Sequence, residues 1–138
     1  MQRSEQADLA IGAPNHSPGN LSAVGRVHVL YGTPTGLKAA NGRSYYGTVP
    51  NTCDGDSVLH GAFGYVVSAG KFGPSLSYNN LVIAHPSCGE GVRPGGAVTV
   101  YPGSATGLPA AGLRWSQDSN GILDVAEPRD QFGWGLPR

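Results

Sequence analysis

The sequence predicts an all-β fold of short antiparallel strands joined by tight turns. Two observations support this prediction. The 138 residues include 22 glycines and 11 prolines, and the apolar residues, 39% of the chain, fall in short alternating runs. Alternation with a period of two is typical of half-buried strands, and a disordered chain does not keep it. No segment shows the 3.6-residue period of an amphipathic helix.

An internal repeat organises the chain. Residues 25–37 align with residues 96–108 at an offset of 71, with seven of thirteen positions identical. Residues 8–14 align with residues 80–86, and residues 63–67 align with residues 132–136. Three segments in one order and at nearly one spacing indicate tandem units, because a repeat of fixed period is the signature of repeat architectures. The predicted units cover residues 1–62 and 63–131, and residues 132–138 begin a third.

The repeated segments are predicted to be strands. Val27 and Val29 alternate with more polar neighbours, and Val98 and Val100 repeat that pattern. Residues 81–84 are a continuous apolar run, which is typical of a strand buried on both faces. A weaker fourth strand is expected in each unit, at residues 43–46 and 113–117. If the strands of one unit are named a to d, the order along the chain is b-c-d-a-b-c-d-a.

The quoted segments resemble a known repeat family. Asp8-Leu-Ala-Ile-Gly-Ala-Pro14, Gly25-Arg-Val-His-Val-Leu-Tyr-Gly32 and Phe63-Gly64 resemble the FG-GAP repeat of integrin-α-type β-propellers. The resemblance implies two four-stranded antiparallel β-propeller-type blades in an incomplete propeller. It also implies an extracellular or cell-surface module for binding or cell adhesion. No signal peptide is visible in this chain, and no apolar run is long enough to span a bilayer.

The family resemblance also implies a calcium loop between strands a and b, with acidic ligands at alternate positions. In the second unit the stretch that begins at Lys71 and ends at Asn80 has no carboxylate, and Lys71 takes the place of the first acid. In the first unit only Asp8 remains, at the last ligand position. We therefore expect no metal and no other cofactor, and we expect serine and asparagine side chains to hold the loop by hydrogen bonds.

No catalytic residue is predicted, so we expect a protein that is not an enzyme. The histidines have no partners at metal-ligand spacing. Gly103-Ser-Ala-Thr-Gly107 lacks the glycine spacing of a nucleophile elbow and recurs with Thr33 in the first unit, which favours a repeated turn. The acidic pair Asp54 and Asp56 could supply two carboxylates to a metal, but a solvated turn is the favoured interpretation. The histidines are His16, His28, His60 and His85.

The two cysteines allow one possible disulfide. Cys53 falls in a d–a connection and Cys88 falls in a b–c connection. In an antiparallel meander both connections leave from the same end of the sheet. We therefore expect the two residues to approach disulfide distance, although the count of cysteines does not require a bond.

The expected function is to present the b–c and d–a connections, together with Tyr45, Tyr46 and Trp115, to a protein or glycan partner. Nine basic residues balance nine acidic residues, so no basic surface favours nucleic acid. Two alternatives remain open: an accessory propeller piece of a secreted hydrolase or toxin, and a self-assembling carbohydrate-binding ring. Two units cannot close a propeller of ~4–8 blades. The chain is thus expected to be a fragment of a larger propeller, to self-associate through its open faces, or to persist as a small two-sheet body.

Overall fold

A computed structural model of the chain describes residues 6–20, 24–47, 63–73, 76–86, 95–127 and 130–136. Within these residues the chain forms seven strands and no helix, so the prediction of an all-β fold is confirmed. None of the described segments is a helix that could cross a membrane.

The strands form two antiparallel sheets. The first sheet has the order β1-β2-β3, and the second has the order β4-β5-β6-β7. Each sheet is a meander in which neighbours in sequence are neighbours in space, and every ladder is antiparallel. The strands of the first sheet are Leu9–Ala13 (β1), Arg26–Thr33 (β2) and Gly36–Tyr46 (β3). The strands of the second are Val66–Gly70 (β4), Asn80–His85 (β5), Ala97–Tyr101 (β6) and Leu113–Trp115 (β7).

One detail of the predicted strand plan is corrected, and it concerns strand a. The first sheet contains three strands in the described residues, which is the number that the order b-c-d assigns to the first unit, whereas a complete blade of the family would have four. The strand expected from Phe132 to Leu136 is a turn, closed by a bond from Trp134 N to Gln131 O. The second unit explains this difference. There, Phe63 forms a bridge and Gly64 forms a turn, and β4 begins only at Val66. The Phe-Gly pair therefore precedes strand a and is not part of it.

Each of the two Phe-Gly pairs contacts the glycine that comes just before strand c of the preceding unit. Gly25 has a φ of 81° and bridges to Phe63. Its counterpart Gly96 has a φ of 87°, and Phe132 N donates to Gly95 O at 2.8 Å. A side chain at Gly25 would meet the backbone of Phe63, and one at Gly96 would meet the backbone of Phe132. Glycine is required at both positions by the positive φ and by the close approach of backbone.

The main core lies between the two sheets. Val27, Val29 and Tyr31 alternate along β2 and pack against alternate residues of β5, namely Leu81 and Ile83. Burial of each such aliphatic side chain contributes about 1.5–3 kcal/mol, so this interface is the main source of stability that holds one sheet on the other. The remaining members of the cluster are Tyr45, Phe63, Tyr101 and Leu108, with Ala10 and Val67 packed at its border.

A second apolar cluster covers the far face of the second sheet. It contains Val66, Val82, Ala84 and Val98, and the side chains of Phe132 and Leu136 pack against it. Every residue of β5 is consequently buried. The continuous apolar run at residues 81–84 thus lies in a strand that is covered on both faces.

Candidate functional site

A cleft of about 390 Å³ opens between the two sheets, beside the main core. A volume of this size is within the range of small-ligand sites. One wall comes from the end of β3, and the other comes from β6, β7 and the loop before β7. The lining residues are Ser44, Tyr45, Tyr46, Phe63, His85, Thr99, Tyr101, Ala110, Ala111, Gly112 and Arg114.

Aromatic rings form the floor of the cleft. The rings of Tyr45 and Tyr101 lie with their centroids 3.9 Å apart, and both side chains are buried. The Tyr45 hydroxyl donates to the carbonyl of Pro109 at 2.7 Å, which fixes the ring and the loop before β7. Burial raises the pKa of the Tyr45 phenol far above its usual value. Tyr45 therefore stays neutral and acts as a hydrogen-bonded aromatic surface.

Arg114 gives the cleft a positive charge. It lies in β7 opposite Thr99, and directly paired strand residues point to the same face of a sheet. His85 is buried at the end of β5, with its ring 5.7 Å from the ring of Phe63. Among the lining residues that the structure describes there is no carboxylate. The cleft is therefore suited to a ligand with hydroxyl groups, an apolar ring face, or an anionic group.

A hydroxyl–imidazole pair lies on the outer face of the first sheet. Ser44 Oγ and His28 Nδ1 share a hydrogen bond of 3.1 Å, and the Arg26 guanidinium donates to Ser44 Oγ at 3.2 Å. Desolvation, with smaller contributions from Arg26 and His16, lowers the pKa of His28. A serine nucleophile needs a base that a third group orients, usually a carboxylate. The charged groups that shift His28 are basic, so the pair lacks that arrangement.

The segment from Gly103 to Gly107, which lacks the spacing of a nucleophile elbow, forms a turn that both units share. Ser104 Oγ donates to Gly107 O at 2.7 Å, and Thr33 Oγ1 donates to Gly36 O at the same distance. Each hydroxyl also accepts from the backbone N–H two residues later, at 3.3 Å. Because the hydroxyl is engaged by its own turn, its role here is structural.

Equivalent side chains tie the loop before strand b to the end of strand c. Asn80 Oδ1 accepts from Gly103 N at 3.0 Å, and Asn80 Nδ2 donates to Phe72 O. In the first unit, Asp8 Oδ1 accepts from Gly32 N at 2.9 Å. Asn80 thus holds the loop as expected, whereas Lys71 is exposed. No group of three metal-ligating side chains is found in the parts of the chain that are described.

The structure brings together only some of the residues that the sequence singled out. Tyr45 and Tyr46 both line the cleft. Trp115 lies on the opposite face of the second sheet, because it pairs with Val98 while its neighbour Arg114 faces the cleft. Cys53 and Cys88 lie outside the described residues, so their pairing stays a prediction.

Sequence reasoning missed Tyr101 and Arg114 as lining residues. Their place depends on how the two sheets stack, which the sequence does not specify. One signal was available for Tyr101: it replaces Leu30 in the aligned repeat, and aromatic side chains dominate the energetics of cores and interfaces.

Comparison with known proteins links the chain to one kind of hydrolase. No family model matches it. It is 28% identical over 145 residues to the phosphatidylinositol-glycan-specific phospholipase D of Rattus norvegicus, a match that covers 99% of the chain and 15% of the relative. It is 31% identical over 139 residues to the enzyme of the same name from Bos taurus, covering 94% of the chain and 14% of the relative. The chain therefore spans about one-seventh of the length of these curated relatives.

Proposed function

We propose that the chain is a non-catalytic FG-GAP-type β-sheet module that accompanies a hydrolase outside the cell and binds a glycan in the cleft between its sheets. The observation that carries the proposal is the aromatic floor of the cleft beside the Arg114 guanidinium. Aromatic faces contact the apolar faces of sugars, and an arginine fork binds phosphate. The relatives are named as phospholipases that are specific for a phosphatidylinositol glycan.

The assignment to FG-GAP-type units is supported by the repeated contacts. Three features recur with matching partners. They are the Phe-Gly pair, the hydroxyl turn, and the side chain at the start of strand b, which is Asp8 in the first unit and Asn80 in the second. Such agreement over whole units favours two blades of one kind over two unrelated sheets.

The candidate nucleophiles among the described residues make hydrogen bonds that suit a structural role, which favours a binding role for the module. The Ser44–His28 pair lacks an orienting carboxylate, and the turn hydroxyls of Thr33 and Ser104 are engaged by their own backbone. In this proposal the hydrolytic chemistry belongs to another part of the hydrolase, and this module contributes ligand binding.

The test is a nuclear magnetic resonance titration of the purified chain with a water-soluble phosphoinositol glycan and with the same glycan lacking phosphate. We expect the largest shifts at Tyr46, Thr99 and Arg114, with no hydrolysis of either compound. Arg114→Gln should weaken binding of the phosphate form about tenfold, which is ~1.4 kcal/mol, and should leave the phosphate-free form unchanged. Lys38→Gln, on an exposed residue outside the cleft, is the matched control. Shifts that avoid the cleft, or hydrolysis by the chain itself, would reject the proposal.

A further inference from the structure

A group of basic and hydroxyl side chains lies beside the cleft, where β2 begins and β3 ends. Arg26 pairs with Tyr46 and His28 pairs with Ser44 in the antiparallel ladder, so the four side chains share one face of the first sheet. Ser44 and Tyr46 also line the cleft, which places the group at the rim of the cleft.

Two contacts orient the Arg26 guanidinium. It lies 4.6 Å from the centroid of the Tyr46 ring in a cation–π contact, and its Nη2 donates to Ser44 Oγ at 3.2 Å. Among the residues that the structure describes, no carboxylate pairs with Arg26, so its two partners leave the positive charge uncompensated. A guanidinium fixed in this way is suited to bind an oxyanion through its planar fork.

Two histidines add to the positive character of the rim. His28 Nδ1 shares a hydrogen bond of 3.1 Å with Ser44 Oγ, and the His16 ring lies 6.2 Å from the Tyr46 ring. Desolvation lowers the pKa of His28, and the positive groups of Arg26 and His16 lower it further. An anion beside these groups offsets their repulsion, because an opposite charge favours the protonated imidazole.

The Ser44 hydroxyl supplies a hydrogen-bond donor to such an anion. Ser44 Oγ accepts from Arg26, and when His28 is protonated its Nδ1–H also donates to Ser44 Oγ. A hydroxyl has two acceptor positions and one proton, so both acceptor positions are then filled. The Ser44 proton is left to donate to a third group, and an oxyanion held by Arg26 fits that position.

We propose that Arg26, His28 and Ser44 form an anion subsite at the rim of the cleft, which takes a phosphate or sulfate ester group. The subsite is distinct from the place assigned to Arg114, which belongs to β7 on the other wall. It therefore does not rest on the binding of a glycan inside the cleft. Because Ser44 also lines the cleft, a ligand with two anionic groups can reach both places at once.

The first measurement is a nuclear magnetic resonance titration of the His28 imidazole in the full chain with inorganic sulfate, whose charge is constant where histidine titrates. We expect sulfate to raise the pKa of His28 in a saturable way, since a bound anion stabilises the imidazolium. Sodium chloride at equal ionic strength is the control for screening of the repulsion from Arg26.

Variants locate the bound anion. Arg26→Gln should weaken sulfate binding about tenfold, and Arg26→Lys should weaken it less, because lysine keeps the charge and loses the fork. Lys38→Gln removes an exposed cation elsewhere in β3 and should bind sulfate like the unmodified chain. Arg114→Gln should also keep the effect of sulfate on His28, whatever it does to glycan binding. Circular dichroism confirms that each variant is folded.

A second titration, with inorganic phosphate and with the phosphoinositol glycan, identifies the source of the anion. Tighter binding of the glycan that Arg26→Gln weakens assigns the oxyanion to the glycan, and equal binding assigns the subsite to the free anion. Two results would overturn the proposal. One is a His28 midpoint that responds equally to sulfate and to chloride. The other is a sulfate effect that persists in Arg26→Gln and disappears in Arg114→Gln.

Discussion

The hydroxyl of Tyr31 in the first sheet accepts a hydrogen bond of 3.1 Å from the backbone N–H of Leu108, 77 residues later in the chain. This buried bond ties the turn of the second unit to the strand of the first. Leu108 is 2% exposed, whereas Leu37, at the same place in the first unit, is 48% exposed. The same turn is therefore buried only where another sheet lies beside it.

Removal of the Tyr31 hydroxyl should destabilise the protein. Tyr31→Phe leaves the Leu108 N–H without its acceptor in a buried site, and we expect the free energy of unfolding to fall by about 1–3 kcal/mol. Chemical denaturation measures the loss. Tyr65→Phe, on a ring that is 40% exposed, should change the value by less than about 0.5 kcal/mol. Equal effects of the two substitutions would contradict the role assigned to the bond.

A methyl group at Gly12 should separate β1 from the second sheet. A Cβ atom there would clash with the Gly64 carbonyl oxygen, which is backbone and cannot rotate away. We expect Gly12→Ala to lower the midpoint of unfolding, with a cost of about 1–3 kcal/mol. Gly135 has no atom within 4 Å of such a Cβ, so Gly135→Ala is the control. An unchanged midpoint for Gly12→Ala would show that the two sheets are not in close contact at this point.

Replacement of the Asn80 amide by a carboxylate should destabilise the protein. Asn80→Asp loses the donor to the Phe72 carbonyl and places a charge in a residue that is 6% exposed. Burial raises the pKa of such a carboxyl in the folded state. Folding then binds protons, so the variant should lose stability as pH rises from about 4. Stability curves at pH 4 and pH 7 measure this, and a variant equally stable at both values would contradict the contact.

The pKa of His28 should lie below the ordinary value of 6.5, chiefly through desolvation and secondarily through Arg26. The unfolded chain binds a proton more readily than the folded chain, so this group makes folding less favourable as pH falls below about 6.5. Nuclear magnetic resonance titration of the imidazole measures the midpoint. Arg26→Gln should raise it while leaving it below 6.5. A midpoint above 6.5 in the unmodified chain would contradict the arrangement of Arg26, His28 and Ser44.

The sequence predicted the local features well, because periodicity and turn chemistry are encoded within a few residues. The alternation at Val27 and Val29 corresponds to a strand with one buried face, and the apolar run at residues 81–84 lies in a fully buried strand. The predicted start of strand a at Phe63 was wrong, since β4 begins at Val66 and Phe63 instead forms a bridge to the distant residue Gly25. Such pairing is set by tertiary contact and leaves no local signal.

The candidate site was predicted only in part for the same reason. Tyr45 and Tyr46 were singled out as residues that face a partner, yet Tyr45 is buried against Tyr101. The cleft exists because the second sheet stacks on the first, and Arg114 enters it through its register with Thr99. Neither the stacking nor the register of β7 can be read from composition or spacing.

The central claim is that the two repeat units stack face to face, with Tyr45 of one unit against Tyr101 of the other. The most direct test is a nuclear Overhauser spectrum of the assigned aromatic protons. The two rings are tilted by 37° with their centroids 3.9 Å apart, so they should give strong cross-peaks between Tyr45 and Tyr101. Complete assignment of both rings with no cross-peak between them would contradict the stacked arrangement and, with it, the cleft.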